Sequence, residues 1–145
     1  RVHRVGDVMF DASLHFGAKA RAEGALRDQL GLIDADYVLA TIHRQENTDH
    51  PARLEAILGG LQQVTSEMPV VLPLHPRTRG RIEAAGGGAL LEGLTCTDPL
   101  GYLQMVELEQ GASVIATDSG GVQKEAFFHG DAAQRIARAI MDHLS

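Results

Sequence analysis

The chain lacks several features that mark special classes of protein. Its 145 residues contain one cysteine and no tryptophan. No apolar run approaches the roughly 20 residues that a membrane-spanning helix needs, so no membrane partner is expected. The single cysteine, Cys96, cannot form an intrachain disulfide, and its apolar neighbours favour a packing role over catalysis. No positively charged segment followed by a short apolar run opens the chain, which makes the cytoplasm the expected compartment.

Positive charge is also scarce. Lysine and arginine number 13 against 19 aspartates and glutamates, which gives a formal net charge of −6. This balance argues against a nucleic-acid partner, although a local basic pocket for a small anion is compatible with it. The seven histidines show no HExxH spacing and one cysteine cannot form a thiolate cage, so we expect neither a metal nor another cofactor. No GxSxG or Cys/His signature of nucleophilic catalysis is present.

Four short β-rich runs are present. They read YVLATIH at 37–43, VVLPLH at 70–75, LTCTD at 94–98 and SVIATDS at 113–119. Each is brief and rich in β-branched residues, as expected of strands that are buried on both faces. Helical patterns alternate with them, which predicts one Rossmann-like α/β domain over residues 1–145, with a parallel sheet between two layers of helices.

The spacing of apolar residues predicts the positions of the helices. After Pro51, an apolar stripe suits one helix face and contains Leu54, Ile57, Leu58, Leu61 and Val64. Further helices are predicted in 77–88, ending in a glycine-rich loop, in 101–112 with Leu103, Val106 and Leu108 inward, from about Gly121, and in 131–144. The last two follow each other almost directly. This interrupts the strand–helix alternation, so either the sheet ends there or a segment is missing between 130 and 131.

Polar residues follow three of the four predicted strands. The segments are IHRQEN after the first strand, LHPRTR after the second and TDSGG after the fourth. Ligands of open parallel sheets bind beyond the carboxyl ends of the strands, so these segments are expected to converge on one crevice.

The TDSGG segment favours an anion site. Ser119, Gly120 and Gly121 lie where a strand turns into a helix, so their backbone N–H groups and the helix dipole can face a phosphate. Glu125, about one turn later, can accept hydrogen bonds from ribose hydroxyls. An ordinary turn with a serine cap and a solvated glutamate is the alternative interpretation.

The other two strand ends are basic. His43 and Arg44 are suited to a diphosphate, Arg44 through bidentate bonds, and Glu46 could fix Arg44 in place. His75, Arg77 and Arg79 form a second basic cluster, in which Pro76 should keep His75 extended. A structural histidine in the first case and a solvated loop in the second are the alternatives.

Together these segments resemble the non-hydrolysing UDP-N-acetylglucosamine 2-epimerase family. The resemblance rests on VGDVMFDA, LATIHRQENTDHPARLEAIL, VVLPLHPRTR and DPLGYLQMVELEQGASVIATDSGGVQKEAFFHG, four motifs in order that cover nearly the whole chain. It implies one half of a glycosyltransferase-B-like enzyme that binds a UDP-N-acetylhexosamine, eliminates UDP and adds it back with C2 inverted. It also implies a homodimer for the intact enzyme.

The resemblance assigns roles to particular residues. Ser119, Gly120 and Gly121 would hold the diphosphate, and Glu125 the ribose. Leu100 and Met105 would hold the uracil through their backbone, and His43 would act in catalysis at the diphosphate next to the reacting sugar.

The resemblance also predicts what this chain does not supply. The family's acid/base carboxylates belong to an N-terminal half that nothing in these 145 residues resembles. We therefore expect the chain to be a C-terminal UDP-binding domain that is inactive alone, with a family strand and arginine-bearing region missing between 130 and 131. A non-catalytic UDP-sugar-binding module and a glycosyltransferase-B donor domain are the alternatives. The diacetamido-uronate nucleotides on which some relatives act are a second open choice for the substrate.

Overall fold

The computed structural model describes residues 8–128 and 137–138 of the chain. Within them lies a 5-stranded sheet of order β3-β2-β1-β4-β5, in which every neighbouring pair is parallel. The strands are β1 Val38–Thr41, β2 Val70–Pro73, β3 Thr95–Thr97, β4 Val114–Thr117 and β5 Ala137–Arg138. The first four fall inside the four predicted runs, so the predicted parallel sheet is confirmed.

Helices pack on both faces of this sheet. They are α1 Val8–Glu23, α2 Leu26–Gln29, α3 Gln45–Thr48, α4 Pro51–Val64, α5 Pro76–Ala84, a 3-10 helix Gly87–Leu91, α6 Tyr102–Gly111 and α7 Gly120–Phe128. Four residues of the predicted α4 stripe are buried, since Leu54, Ile57, Leu58 and Leu61 are each at most 6% exposed, and Val64 is partly buried against the same core. Pro51 opens that helix at a position where a missing N–H costs no hydrogen bond.

Alternate residues of β1 serve two separate cores. Val38 and Ala40 belong to a cluster with Leu58 of α4, whereas Leu39 belongs to a cluster with Leu108 of α6. Both faces of the strand are therefore covered, which is why the run lacks the polar alternation of a half-exposed strand. The result is the predicted three-layer α/β architecture.

Helices α1, α2 and α3 were not predicted, and for α2 distant contacts explain why. The amides of Leu26 and Arg27 at the start of α2 donate to the Glu107 carboxylate of α6 at 3.3 and 2.8 Å. Arg27 also donates to the carbonyls of Leu32 and Ile33 at 3.1 and 2.7 Å. An acceptor on another helix thus replaces the local N-cap that a sequence pattern would have revealed.

The prediction of a helix over 131–144 is wrong at 137–138. These two residues form β5, whose Ala137 and Arg138 are in register with Ile115 and Ala116 of β4. Pairing with β4 satisfies backbone groups that an open sheet edge would leave exposed, and this long-range gain overrides local helix propensity. The proposed junction between Gly130 and Asp131 lies outside the described residues.

Candidate functional site

The polar segments meet at one end of the sheet. The strand order reverses at β1, because β2 lies on one side of it and β4 on the other. Thr41 and Thr117, the last residues of β1 and β4, are paired in register, and their buried hydroxyl oxygens lie 2.6 Å apart in a hydrogen bond. The segments that follow therefore leave the sheet side by side. The space beyond them, called the crevice below, is the switch point at which open α/β sheets bind ligands.

Asp118 connects the two sides of the crevice. Its carboxylate is 3% exposed and accepts from the amides of His43 at 2.9 Å and Arg44 at 3.0 Å. The side-chain amide of Asn47, in α3, donates to the same carboxylate at 2.9 Å. Three donors thus satisfy a buried charge that would otherwise be costly. The sequence interpretation did not identify Asp118.

Arg44 is held by the backbone of Asp118. Its Nε donates to the Asp118 carbonyl oxygen at 2.7 Å, which fixes the guanidinium beside the start of α7. The expectation that Glu46 fixes Arg44 is wrong, since no ion pair joins them in the part of the chain that the structure describes. Glu46 is exposed on α3. The terminal nitrogens of Arg44 make no hydrogen bond with the described residues, so they are available to a ligand.

The bend at 119–121 has an inward and an outward part. The Ser119 amide donates to Thr117 Oγ1 at 3.0 Å, and Ser119 Oγ accepts from the Val122 amide at 3.5 Å as the cap of α7. The expectation that the amides of Ser119, Gly120 and Gly121 all face an anion is therefore wrong for Ser119. This residue can still donate its hydroxyl proton to a ligand. The amides of Gly120 and Gly121 have no partner among the described residues, as the first turn of a helix allows.

The fold itself does not require glycine at these two positions. A Cβ built on Gly120 has nothing within 4 Å, and one on Gly121 meets only Ser119 Oγ at 3.6 Å. Neither residue is among the described glycines with positive φ, so backbone conformation does not demand glycine either. What the absence of side chains provides is open space in front of two free amides at a positive helix end. This space suits close approach by an anion.

Glu125 lies one turn into α7, in a partly buried position. Burial raises the pKa of Glu125, and a hydrogen bond from the Tyr102 side chain partly offsets that rise. The Tyr102 ring in turn packs edge-to-face on Phe16 of α1, with ring centroids 5.3 Å apart. The hydrogen bond from Tyr102 orients the Glu125 carboxylate, which suits the role of acceptor toward vicinal hydroxyls.

A second carboxylate lies near Glu125 and was not identified from the sequence. Glu109 of α6 is 3% exposed. Burial, and secondarily the charge of Glu125, raise its pKa from 4.5 to about 8. Glu109 is therefore largely protonated at neutral pH.

The second basic cluster lies at the same end of the sheet. His75 is extended, as Pro76 predicts, and its Nδ1 accepts from the Arg77 amide at 3.2 Å as the cap of α5. Both side chains are exposed. No hydrogen bond joins them to the His43 segment among residues 8–128 and 137–138, so the structure places them near the crevice without linking them to it.

Leu100 and Met105 pack against the core on the α6 side of the sheet. Their side chains therefore have a structural role, and the backbone contact with uracil that the resemblance implies stays a prediction. Cys96 lies in β3 against the other cluster, and burial raises the pKa of its thiol, with Arg79 opposing the rise. This favours the packing role predicted for Cys96.

The fold and the crevice define an α/β domain whose strand-order switch point suits an anionic ligand. The model of the UDP-N-acetylglucosamine 2-epimerase family matches residues 1–140, and the chain belongs to this family. No helix in the described part of the chain has the length and apolar character needed to cross a membrane.

Two relatives illustrate the match. The chain is 48% identical over 131 residues to UDP-2,3-diacetamido-2,3-dideoxy-D-glucuronate 2-epimerase of Pseudomonas aeruginosa, covering 90% of this chain and 35% of that protein. It is 34% identical to UDP-N-acetylglucosamine 2-epimerase of Methanocaldococcus jannaschii, covering 87% and 36%. The chain thus spans about a third of the length of the curated relatives that it matches.

Solved structures agree with this placement. The Methanocaldococcus jannaschii UDP-GlcNAc 2-epimerase in complex with UDP-GlcNAc and UDP matches with a TM-score of 0.76 at 32% identity, over 88% of this chain and 36% of that one. The Neisseria meningitidis UDP-GlcNAc 2-epimerase bound to UDP-GlcNAc matches with a TM-score of 0.63 at 25% identity, over 83% and 34%.

Proposed function

We propose that the chain is the UDP-binding part of a UDP-N-acetylhexosamine 2-epimerase. The observation that carries this proposal is the pair of open amides at Gly120 and Gly121, beside the fixed guanidinium of Arg44, at the crevice. The relative solved in complex with UDP-GlcNAc and UDP supports a UDP-sugar as the ligand. The P. aeruginosa relative, at 48% identity, keeps a diacetamido-uronate nucleotide as an open choice of sugar.

In this proposal the diphosphate lies against the start of α7. The amides of Gly120 and Gly121 and the Ser119 hydroxyl donate to its oxygens, and the helix dipole favours its charge. The terminal nitrogens of Arg44 and the imidazole of His43 approach from the other side of the crevice. His75 and Arg77 add positive charge at the neighbouring strand end. Glu125 accepts hydrogen bonds from the ribose hydroxyls.

The proposed reaction removes the C2 proton of the sugar as the bond from C1 to the diphosphate oxygen breaks. UDP departs, a 2-acetamidoglucal remains, and re-addition of UDP with protonation of C2 on the opposite face inverts that carbon. The residues of this chain would stabilise negative charge as it develops on the departing diphosphate. A base at C2 is a separate requirement, and we assign none among the described residues.

The ligand assignment is tested by calorimetry with UDP, uridine and pyrophosphate. We expect UDP to bind more tightly than either uridine or pyrophosphate, because it occupies both the glycine bend and Glu125. No binding of UDP by the folded chain would contradict the proposal. NMR observation of UDP-N-acetylglucosamine tests turnover, which we expect to be absent for these 145 residues alone. If the chain binds UDP but shows no turnover after a candidate N-terminal half is added, the non-catalytic module is favoured instead.

For the intact enzyme we further propose a cytoplasmic location and a homodimer. The homodimer is what the resemblance to the family implies, and size-exclusion chromatography with light scattering on the intact enzyme tests it.

A further inference from the structure

Asp118 is the most connected polar side chain at the crevice, although it does not point into it. One carboxylate oxygen accepts from the His43 amide, and the other accepts from the Arg44 amide and Asn47 Nδ2. Its own carbonyl oxygen accepts from Arg44 Nε. The residue thus fixes both the backbone and the guanidinium of the segment that follows β1.

We propose that Asp118 is a positioning residue that holds His43 and Arg44 at the distance from the Gly120–Gly121 amides that a diphosphate requires. This inference rests on the proposed function. Asp118 immediately precedes the bend at 119–121, so the residue that orients the cationic segment is covalently attached to the amide donors. The two sides of the crevice then act as one preorganised unit, in which the fixed donors need no rearrangement when charge develops on the ligand.

The contact geometry explains why aspartate is needed there. Both oxygens of the carboxylate are in use, and all three partners are N–H donors. An asparagine offers one oxygen and one NH2 group, so in either orientation an NH2 group would meet an N–H donor. The segment from His43 to Arg44 would have to move, and its cationic groups would move with it.

The test is Asp118→Asn in the full chain, measured by calorimetry with UDP and with uridine. We expect UDP affinity to fall about tenfold or more, as loss of charge-assisted hydrogen bonds implies, while uridine affinity stays the same. In a chain that already carries His43→Ala and Arg44→Ala, the same change should weaken UDP binding less than about twofold, because the residues through which it acts are gone.

Glu107 provides a matched control. It is another buried carboxylate, 8% exposed, that accepts from two backbone amides, but at the start of α2. Glu107→Gln should lower the urea midpoint of unfolding and leave UDP affinity unchanged. If Asp118 has only a general structural role, Asp118→Asn should instead reduce the affinities for UDP and for uridine by the same factor.

The outcomes separate the two proposals. UDP binding that Asp118→Asn leaves unchanged would overturn the positioning role and leave the proposed function intact. Absence of UDP binding by the unaltered folded chain would overturn both. If the Asp118 variant does not fold, Asn47→Ala replaces it, since it removes one of the three donors. Loss of this internal hydrogen bond should loosen the hold of Asp118 on the His43–Arg44 segment, so we expect about threefold weaker UDP binding and unchanged uridine binding. Unchanged UDP affinity would overturn the inference.

Discussion

Replacement of Glu109 by glutamine should change how the stability of the domain depends on pH. Glu109 is 3% exposed on α6, where burial and the nearby charge of Glu125 raise its pKa to about 8. The usual value of 4.5 applies to the unfolded chain. Between these two values the folded protein keeps a proton that the unfolded chain has lost, so raising the pH favours unfolding.

The size of the effect follows from the same two values. The Glu109 contribution is fully present below pH 4.5 and is lost as the pH rises to about 8. Each pH unit in this window lowers the free energy of unfolding by up to about 1.4 kcal/mol, which gives about 5 kcal/mol as an upper bound over the window. Local relaxation and water penetration reduce such values, so we expect a difference on the order of 2 to 5 kcal/mol.

Urea unfolding of both proteins at pH 5, 6, 7 and 8.5 measures this difference. At pH 5 Glu109 is protonated and resembles glutamine, so the two free energies of unfolding should be close. At pH 8.5 the Glu109→Gln protein should be the more stable one. Titrating groups that do not interact with Glu109 are common to both proteins and cancel in the difference, which leaves Glu109 and its coupling to Glu125. Glu92→Gln, on the exposed Glu92, is the control and should show no such trend. A difference between wild type and Glu109→Gln that is independent of pH would refute the reasoning.

Three further changes test the site and the core. Glu125→Ala should weaken UDP binding in calorimetry by about 1 to 3 kcal/mol and leave pyrophosphate binding unchanged. The control is Lys124→Ala, at the exposed neighbouring residue, which should leave the binding of both ligands much closer to wild type. Equal UDP affinity in the Glu125 variant would exclude the ribose role. Gly120→Val has open space for its side chain, so thermal unfolding should show a stable protein while UDP binding is lost; retained binding would contradict the anion site. Leu58→Ala, at a fully buried core position, should lower the urea-derived free energy of unfolding by about 2 to 5 kcal/mol, and a loss below about 1 kcal/mol would mean that this core is not close-packed.

The sheet could be predicted because its signal is local. Residues 37–43 and 113–119 are short apolar runs that end in polar residues, and burial on both faces explains that pattern. The same reasoning placed His43, Arg44 and the bend at 119–121 at one edge of the sheet, because parallel strands end together.

The rest depends on contacts between distant parts of the chain. Asp118 lies 75 and 74 positions from the two amides that it accepts from, so no local spacing reveals its role. Glu107 accepts from amides of α2 and Glu109 lies near Glu125 of α7, contacts that no local spacing reveals. A signal for Asp118 does exist, since an acidic residue directly after an apolar strand and before two glycines must either face a ligand or find buried donors.

The most direct test of the central claim is a titration of the 15N-labelled chain with UDP, followed by NMR. UDP should shift the amide resonances of Gly120 and Gly121, and uridine at matched occupancy should leave both nearly unchanged, because only UDP brings a diphosphate to the bend. UDP binding that leaves both glycine resonances where they were would contradict the account.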